Sequence, residues 1–409
     1  MEEAIEAKRI YLDHAATTPL DVRVREHMLP FLTENWGNPS SLYQEGVEAK
    51  SAVMTARKQV ANLINASPEE IIFTSSGTES DNLALLGVAR RYSPADCHLI
   101  ISAIEHPAVF ECAKRLFQEG YPLSVLPVEK TGIINLGELK NSIRPNTRII
   151  SMMLANNITG IIQPLAELRQ IIRQIAGEQN ILIHTDAVQA LGKIPIDIKI
   201  LDVDLLSISA HKIYGPKGVG ALYCKKGTKL LPMIYGGGQE RGLRSSTENL
   251  LGIVGLGKAA AIAQEEMEST QLKLKQLGGK LISGMELLCS DVYLIGEKHC
   301  PRLPGHFAIG ISGYEGQSIH LLLEMNAQGI AVSSGSACSS QQQDTPSHVL
   351  LAMGYNVYES KGMLRITLGR FNTEEEIDHF LASFKKTLLT LRSINTRNNT
   401  RNNTRNNNY

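Results

Sequence analysis

A lysine stands at the end of one apolar run, in residues 205–212, which close with Ser209, His211 and Lys212. If this run is a strand, a lysine at its end beside a histidine can have its pKa lowered and form a Schiff base with a carbonyl compound. Most lysines, however, are solvated surface charges. Lys212 by itself therefore leaves both interpretations open.

An aspartate ends a second apolar run, in residues 181–186. A carboxylate at the end of a buried strand needs a partner, because desolvating an unpaired charge is costly. A cationic heterocycle such as a protonated pyridine would supply that partner for Asp186. The cap of a helix N-terminus is an equally good explanation.

A phosphate-binding turn is predicted by residues 71–83, which have the pattern of a strand, a glycine turn and a helix. Ser76 with Glu79, or Thr78 with Asp81, would form a capping box. The free amides and the dipole at such a helix start suit a phosphate group. An ordinary capped helix would show the same pattern.

These three clusters become more informative when they are taken together. An anion-binding turn, a carboxylate for a ring nitrogen and a lysine for a carbonyl are what pyridoxal phosphate requires of a protein. The sequence therefore predicts a site for this cofactor, and it contains no zinc-type spacing of cysteines that would predict a metal site.

A run of small and polar residues, 333–343, holds the thiol of Cys338. Such a composition predicts an exposed, mobile loop, and an exposed thiol is a candidate nucleophile, although its placement could be incidental. The six cysteines include no C-x-x-C pair, which favours free thiols in a reducing compartment.

The elements that must position these residues follow from the hydrophobic pattern. Between about residues 67 and 251, short apolar runs alternate with amphipathic stretches, which predicts an α/β fold with a mostly parallel sheet flanked by helices. Ligands of such sheets bind at the carboxyl ends of the strands. The polar residues that follow the runs are therefore expected to lie close together.

The chain is expected to divide into two domains and a tail. Residues 16–262 form the large cofactor-binding domain, and a long amphipathic stretch over 257–288, one or two helices, leads away from it. Residues 1–15 and 263–394 form a smaller α+β domain that carries the cysteine loop. Residues 395–409 repeat Thr-Arg-Asn-Asn with almost no apolar residue, which predicts disorder.

Composition excludes several other classes of protein. The 409 residues contain 41 Lys and Arg against 41 Asp and Glu, so there is no basic surface for direct binding to nucleic acid. No apolar stretch reaches the roughly 18 residues of a membrane span, and the acidic amino terminus lacks the pattern of an export signal. We expect a cytoplasmic protein that does not bind membranes.

With these motifs in order along the chain, the sequence resembles the cysteine desulfurases of the NifS-like and IscS-like group. The resemblance extends from residues 10–19 to residues 364–370. The motifs that carry it are Gly37-Asn38-Pro39-Ser40-Ser41, Ser76-Gly77-Thr78-Glu79-Ser80-Asp81-Asn82, Glu105-His106, Asn156-Asn157, Asp186-Ala187-Val188-Gln189, Ser209-Ala210-His211-Lys212, Gly236-Gly237-Gly238-Gln239-Glu240-Arg241-Gly242 and Ser334-Gly335-Ser336-Ala337-Cys338.

The resemblance implies a homodimer with the fold type I of pyridoxal-phosphate enzymes and a role for each matching residue. Lys212 would bind the cofactor covalently, Asp186 would pair with its ring nitrogen, and His106 would stack on the ring and exchange protons. Gln189 and Asn157 would reach the ring hydroxyl. The residues implied for the phosphate are Gly77, Thr78, Ser209, His211 and Thr247 of the partner subunit.

The resemblance also implies the reaction, from L-cysteine to L-alanine, with the sulfur passing to Cys338 as a persulfide. Arg365, helped by Asn38 and Asn157, would bind the substrate carboxylate. The sulfur acceptor would be an iron–sulfur scaffold or another protein. The alternatives are a selenocysteine lyase, another class V aminotransferase, or a non-catalytic binding protein on the same fold.

Two positions depart from the family pattern. Ile158 follows the paired asparagines where the family usually has glutamate, and Tyr43 stands where histidine is common. We expect both departures to affect the surroundings of the site rather than the reaction.

Overall fold

The structure is a computed structural model, and it describes residues 9–177, 179–334 and 345–406, with side chains described as far as residue 391. The strands are β1 (Ile10–Tyr11), β2 (Ile71–Thr74), β3 (His98–Ser102), β4 (Leu123–Leu126), β5 (Thr147–Ser151), β6 (Leu182–Asp186), β7 (Leu205–Ser209), β8 (Gly220–Cys224), β9 (Val292–Leu294), β10 (His306–Ile311), β11 (Ile330–Ala331), β12 (Ser333–Ser334) and β13 (Leu364–Thr367).

The α-helices are α1 (Val22–Met28), α2 (Pro30–Thr33), α3 (Gln44–Leu63), α4 (Gly77–Ala89), α5 (Pro107–Gln118), α6 (Leu136–Ser142), α7 (Leu165–Ala176), α8 (Ile198–Leu201), α9 (Leu250–Leu288), α10 (Ser318–Ala327), α11 (His348–Ala352), α12 (Val357–Gly362) and α13 (Glu374–Asn406). Short 3-10 turns lie at Pro68–Glu70, Pro94–Asp96, Ala210–Lys212 and Glu240–Gly242.

A seven-stranded sheet forms the centre of the larger part of the chain, with the strand order β2-β8-β7-β6-β5-β3-β4. Strands β4, β3, β5, β6 and β7 pair in parallel, whereas β8 runs antiparallel to both β7 and β2. Strands β3, β6 and β7 are buried along their whole length. Helices cover both faces of such a sheet, which explains why these strands are continuous apolar runs. The predicted α/β class is confirmed.

Strand β8 was not expected from the sequence, which predicts only a glycine-rich turn before it. Its glycine must lie close to other chain segments, since a Cβ at Gly220 would come within 2.6 Å of the carbonyl oxygen of Ile208. Strand β8 joins β2 to the parallel strands and so holds the start of α4 beside the end of β7.

A second sheet, β12-β13-β10-β9, forms the smaller part of the chain with antiparallel pairing. Near the amino terminus, β1 pairs in parallel with β11, and Ile10 and Leu12 are buried in the same core as β13. The first described residues therefore belong to this part of the molecule.

Helix α9 connects the two parts as a single 39-residue helix that begins after the N-cap Asn249. Its buried residues up to Ala263 contact the core below the large sheet, whereas those from Leu274 to Met285 contact the core of the smaller part. The proposed domain boundary at residues 262 and 263 lies inside this helix.

Helix α13 runs to Asn406 and so enters the repeats that composition predicts to be disordered. Side chains beyond residue 391 lie outside the described residues, and the disorder of the tail stays a prediction.

Candidate functional site

A cavity of about 510 Å³ opens at the carboxyl ends of the parallel strands. Strands β3, β5, β6 and β7 all end there, as expected of a sheet of this kind. Nine of the predicted site residues line it, namely Gly77, Thr78, His106, Asn157, Asp186, Gln189, Ser209, His211 and Lys212. These residues come from five separate segments, and the fold brings them together.

The start of α4 forms one end of the cavity. Ser76 is the N-cap, and its side chain accepts a hydrogen bond from the amide of Glu79 at 3.1 Å. The return bond of the expected capping box is displaced by one residue, because the Glu79 carboxylate accepts from the amide of Ser75 at 2.8 Å. Gly77 and Thr78 lie in the first turn of α4, where the backbone N–H groups have no carbonyl oxygen of the helix to donate to. Their amides therefore remain available to an anion.

The glycine at the first turn of α4 allows close contact with the loop after β6. A Cβ at Gly77 would come within 2.7 Å of the Val188 side chain. Ser209 also lies beside this turn, since the same Cβ would be 3.6 Å from the Cβ of Ser209, and His211 lines the cavity as well. Nδ1 of His211 lies 3.1 Å from the Thr17 hydroxyl, which orients the ring.

Asp186 is the last residue of β6, and its side chain is 6% exposed. Oδ1 accepts a hydrogen bond from the amide of Val188 at 2.8 Å, which turns the carboxylate toward the cavity. Burial raises the pKa of Asp186 to about 6, while this hydrogen bond and the charge of Lys212 act in the opposite direction. A cation bound beside it would stabilise the ionised carboxylate.

Lys212 ends the 3-10 turn that follows β7. Its Nζ donates hydrogen bonds to the carbonyl oxygens of Ala15 at 2.6 Å and Ala16 at 2.7 Å. The lysine therefore holds the segment after β1 against the large sheet and keeps its amine at the cavity wall. Sequence reasoning did not identify these two carbonyls.

His106 is the N-cap of α5, and its Nδ1 accepts a hydrogen bond from the amide of Ala108 at 3.1 Å. Burial and the charge of Lys212 lower the pKa of His106 to about 4. The ring is consequently neutral at pH 7. Because Nδ1 is an acceptor, the proton is on Nε2.

Two buried acids next to these residues were not predicted to belong to the site. Glu105 is fully buried, and its Oε1 accepts from the Ser102 hydroxyl at 2.5 Å and the Met153 amide at 2.8 Å. Burial raises its pKa to about 8, so it is protonated at neutral pH. Burial and the charge of Asp186 also raise the pKa of Asp81, which lines the cavity.

Arg365 lies on β13 beside the cavity rather than in its wall, and it is 1% exposed. Nη1 donates to the carbonyl oxygen of Asn157 at 2.9 Å, and Nη2 donates to Asp13 at 2.8 Å. No partner is described for Nε of this side chain. One edge of the guanidinium is thus held by the protein.

Two other predicted residues, Asn38 and Thr247, do not line this cavity. Asn38 is exposed, and its side chain accepts from the Ser40 amide at 2.9 Å. Thr247 is also exposed, and its role in the site of another subunit stays a prediction. Cys338 lies outside the described residues.

The two residues that depart from the family pattern differ in their surroundings, since Ile158 is buried and Tyr43 is exposed. The Asn156 side chain accepts from the amides of Ile158 and Thr159 at 2.9 Å each, and the Ile158 side chain is buried beside Met153 and Ile161. Tyr43 is the N-cap position of α3 and is exposed.

Further cavity residues were missed by sequence reasoning: Ala15, Ala16, Thr17, Ser75, Asp81, Met153, Val188, Lys217 and Gly218. Lys217 and Gly218 follow Lys212 in the glycine-rich segment. Thr17 belongs to the amino-terminal motif, which carried no chemical signal of its own.

The arrangement fits pyridoxal phosphate. The amides of Gly77 and Thr78 offer donors to a phosphate, and Asp186 offers a buried carboxylate to a cationic ring nitrogen. Lys212 places a primary amine on the same cavity wall. The donors and the acid thus match the charges of the cofactor.

Known proteins resemble this chain over almost its whole length. Residues 10–380 match the aminotransferase class-V family. The cysteine desulfurase IscS of Clostridium botulinum is 46% identical over 95% of this chain and 96% of its own, and the IscS of Methanosarcina thermophila is 46% identical over 95% and 94%. A solved structure described as a NifS-like protein is 39% identical, covering 93% of this chain and all of its own, with a TM-score of 0.86.

Among the described residues, no helix combines the length and the apolar character that crossing a bilayer requires.

Proposed function

The chain belongs to the aminotransferase class-V family, and we propose that it is a cysteine desulfurase that converts L-cysteine to L-alanine and passes the sulfur to Cys338. Its cofactor is pyridoxal 5′-phosphate. The observation that carries this proposal is the meeting of Lys212, Asp186 and the start of α4 in one cavity of about 510 Å³.

Pyridoxal phosphate, when bound, supplies an electron-accepting ring that stabilises negative charge at the substrate Cα. Asp186 supports this by keeping the ring nitrogen protonated, because its buried carboxylate favours a cation beside it. The amides of Gly77 and Thr78 and the side chains of Ser209 and His211 bind the phosphate, with Thr247 of the partner subunit. Asn157 and Gln189 bind the ring oxygen.

Lys212 holds the cofactor and, when its amine is free, acts as the general base at the substrate Cα. The carbonyl oxygens of Ala15 and Ala16 orient this amine through hydrogen bonds. His106 lies on the cavity wall with its proton on Nε2 and its Nδ1 occupied. Its ring would lie against the cofactor ring, and its Nε2 could donate that proton to a departing group.

Arg365 binds the substrate carboxylate, with Asn38 and Asn157 assisting. Support comes from the position of its guanidinium, which reaches Asn157 at the cavity wall and is held by Asp13 on its other side. Asp13 fixes the geometry of Arg365 before the substrate arrives, which favours binding of a carboxylate in one orientation.

The sulfur step needs a thiolate, and the five described cysteines are poor candidates. None of them lines the cavity. Burial raises the pKa of Cys97 and Cys224 to about 11 and that of Cys112 to about 12. Cys338, in its run of small polar residues, is the nucleophile: it forms an S–S bond to the substrate sulfur while the C–S bond breaks, and protonation at Cβ yields alanine.

We further propose a homodimer with the site at the subunit interface and a sulfur acceptor such as an iron–sulfur scaffold. Large apolar side chains near the exposed Thr247 and Asn38 segments support an interface, since Tyr235 is 78%, Trp36 65% and Leu42 95% exposed. The six cysteines of the sequence include no C-x-x-C pair, which favours a reducing, cytoplasmic location.

The test is incubation of the purified chain with L-cysteine and a thiol reductant while alanine and sulfide are measured. We expect equal amounts of the two products. A protein that binds no pyridoxal phosphate, or alanine formed without sulfide, would contradict the proposal. The alternative selenocysteine lyase predicts turnover of selenocysteine with little turnover of cysteine.

A further inference from the structure

Lys193 lies directly behind a residue of the site but has no role in the reaction described above. Its Nζ donates a hydrogen bond to Oε1 of Gln189 at 3.0 Å. Gln189 in turn donates from Nε2 to the carbonyl oxygen of Ala15 at 2.9 Å, and Ala15 also accepts from Lys212. A chain of three contacts therefore joins Lys193 to the amine of Lys212.

These contacts allow only one orientation of the Gln189 amide. A lysine ammonium can only donate and a backbone carbonyl can only accept, so a flipped amide would place donor against donor and acceptor against acceptor. With Oε1 held by Lys193, the NH₂ group has one hydrogen on Ala15 and a second one free. Gln189 lines the cavity, and it therefore presents a donor there rather than an acceptor.

The surroundings of Lys193 contain several cationic or basic groups. In the described parts of the chain, no carboxylate lies within ion-pair distance of it, and Glu266, which lines the same small cavity, is paired with Arg23 and Arg370. The nearby basic groups are Lys212 and Arg365, whose charges affect the pKa of Lys193, and His14, His211 and His306, whose pKa values are lowered by the charge of Lys193. Burial and the charges of Lys212 and Arg365 lower the pKa of Lys193 to about 7. An anion beside Gln189 would favour the charged form.

We propose that Lys193 is a positioning residue, which holds the Gln189 amide with its donor toward the cofactor's ring oxygen and places a positive charge behind it. This rests on the proposed function, in which Gln189 binds that oxygen. A donor and a charge on this side stabilise the anionic oxygen. The donor and the charge therefore disfavour the protonated form of the linkage between Lys212 and the cofactor. The pKa of this linkage is lowered as a result.

The test is a pH titration of the visible absorbance of the bound cofactor in the holoenzyme, without substrate. We expect Lys193→Met to raise the pKa of the lysine-bound chromophore by about one unit, a tenfold change in proton affinity. Lys193→Arg, which keeps a donor and a charge, should restore the wild-type value. Lys199→Met, an exposed lysine remote from the cavity, is the matched control.

The outcomes separate this inference from the proposed function. A wild-type protein without the lysine-bound chromophore would overturn the proposed function. If the wild-type protein shows the chromophore and Lys193→Met has the same chromophore pKa, the positioning role of Lys193 is wrong. Its contact with Gln189 would then be only structural, and the proposed function would be unaffected. If Lys193→Met does not fold, Lys193→Gln supplies the same comparison, since it removes the charge and keeps a polar side chain.

Discussion

Nη2 of Arg365 lies 2.8 Å from Oδ1 of Asp13, across 352 positions of sequence. The pair joins the segment after β1 to β13, and the same guanidinium reaches the backbone of Asn157. A substrate-binding arginine is thus oriented by an acid that comes from the opposite end of the chain.

Replacing Arg365 by alanine should raise KM for cysteine by roughly 10- to 100-fold, because a hydrogen bond to a charged group contributes about 1.5–3 kcal/mol. The effect on kcat should be smaller. Steady-state kinetics check this. Asp13→Asn, which removes the charge that orients the guanidinium but keeps a hydrogen-bonding oxygen, should raise KM by less than Arg365→Ala does. Arg25→Ala, an exposed arginine outside the cavity lining, is the control and should leave KM unchanged. An unchanged KM in Arg365→Ala would place the substrate carboxylate elsewhere.

Replacing Lys212 by alanine should abolish both the absorbance of the lysine-bound cofactor and turnover, because the other lysine of the described cavity lining, Lys217, lies further along in the glycine-rich segment and not in the turn that follows β7. Lys199→Ala should retain both. Mass spectrometry of the reduced and digested wild-type protein supplies an independent check. An adduct on a lysine other than Lys212 would contradict the assignment.

Replacing Cys338 by alanine should leave binding of the cofactor and of cysteine intact but stop the release of sulfide, since the sulfur then has no acceptor thiol. Absorbance changes on adding cysteine and sulfide assays measure the two effects. Cys300→Ala, a partly exposed thiol outside the cavity, should behave as the wild type does. Normal sulfide release by Cys338→Ala would exclude a persulfide on this residue.

Glu105 should make the stability of the protein depend on pH. Its pKa is raised from 4.5 to about 8 by burial, so the folded state keeps a proton that the unfolded state releases. This contribution to stability is complete below pH 4.5 and is lost as the pH rises through 8. Between pH 6 and 9, the unfolding temperature of Glu105→Gln, which cannot lose that proton, should fall less than that of the wild type. Parallel pH profiles for the two proteins would show that Glu105 is ionised in the fold.

A buried ion pair should hold the 3-10 turn at Glu240 against β2. Arg57 donates to both carboxylate oxygens of Glu240, at 2.8 and 2.6 Å, and one of these oxygens also accepts from the amide of Phe73. Arg57→Ala should cost about 3–5 kcal/mol of unfolding free energy, because the carboxylate is left buried without its cation. Denaturant unfolding measures this. Arg25→Ala, from an exposed pair with Glu26, should cost less than about 1 kcal/mol; equal losses would mean that Glu240 is solvated.

Several features could be predicted because they depend on local patterns. The apolar runs at β2, β6 and β7 were predicted from the hydrophobic pattern of the sequence, and the structure confirms them as strands. Since carboxyl ends of parallel strands share one edge, it also followed that Asp186 and Lys212 would meet. The helix cap at Ser76 depends on residues that are close in sequence, so it could be predicted as well.

Other features depend on contacts between distant segments, for which the sequence carries no local signal. Strand β8 follows a glycine-rich turn and has no alternating pattern, so only its pairing with β2 and β7 defines it. Glu105 was noticed as part of a motif, but its raised pKa results from burial among residues that fold around it.

The sequence by itself thus determined which side chains carry the chemistry and the type of sheet that presents them, because strand periodicity, helix capping and residue type are local properties of the chain. Only the tertiary structure decided how those side chains are held and charged. Hydrogen bonds from Lys193 to Gln189 and from Lys212 to Ala15, like the ion pair of Arg365, depend on distances in the folded chain. Desolvation, which shifts the pKa values of Asp186 and His106, exists only once the surrounding segments exclude water.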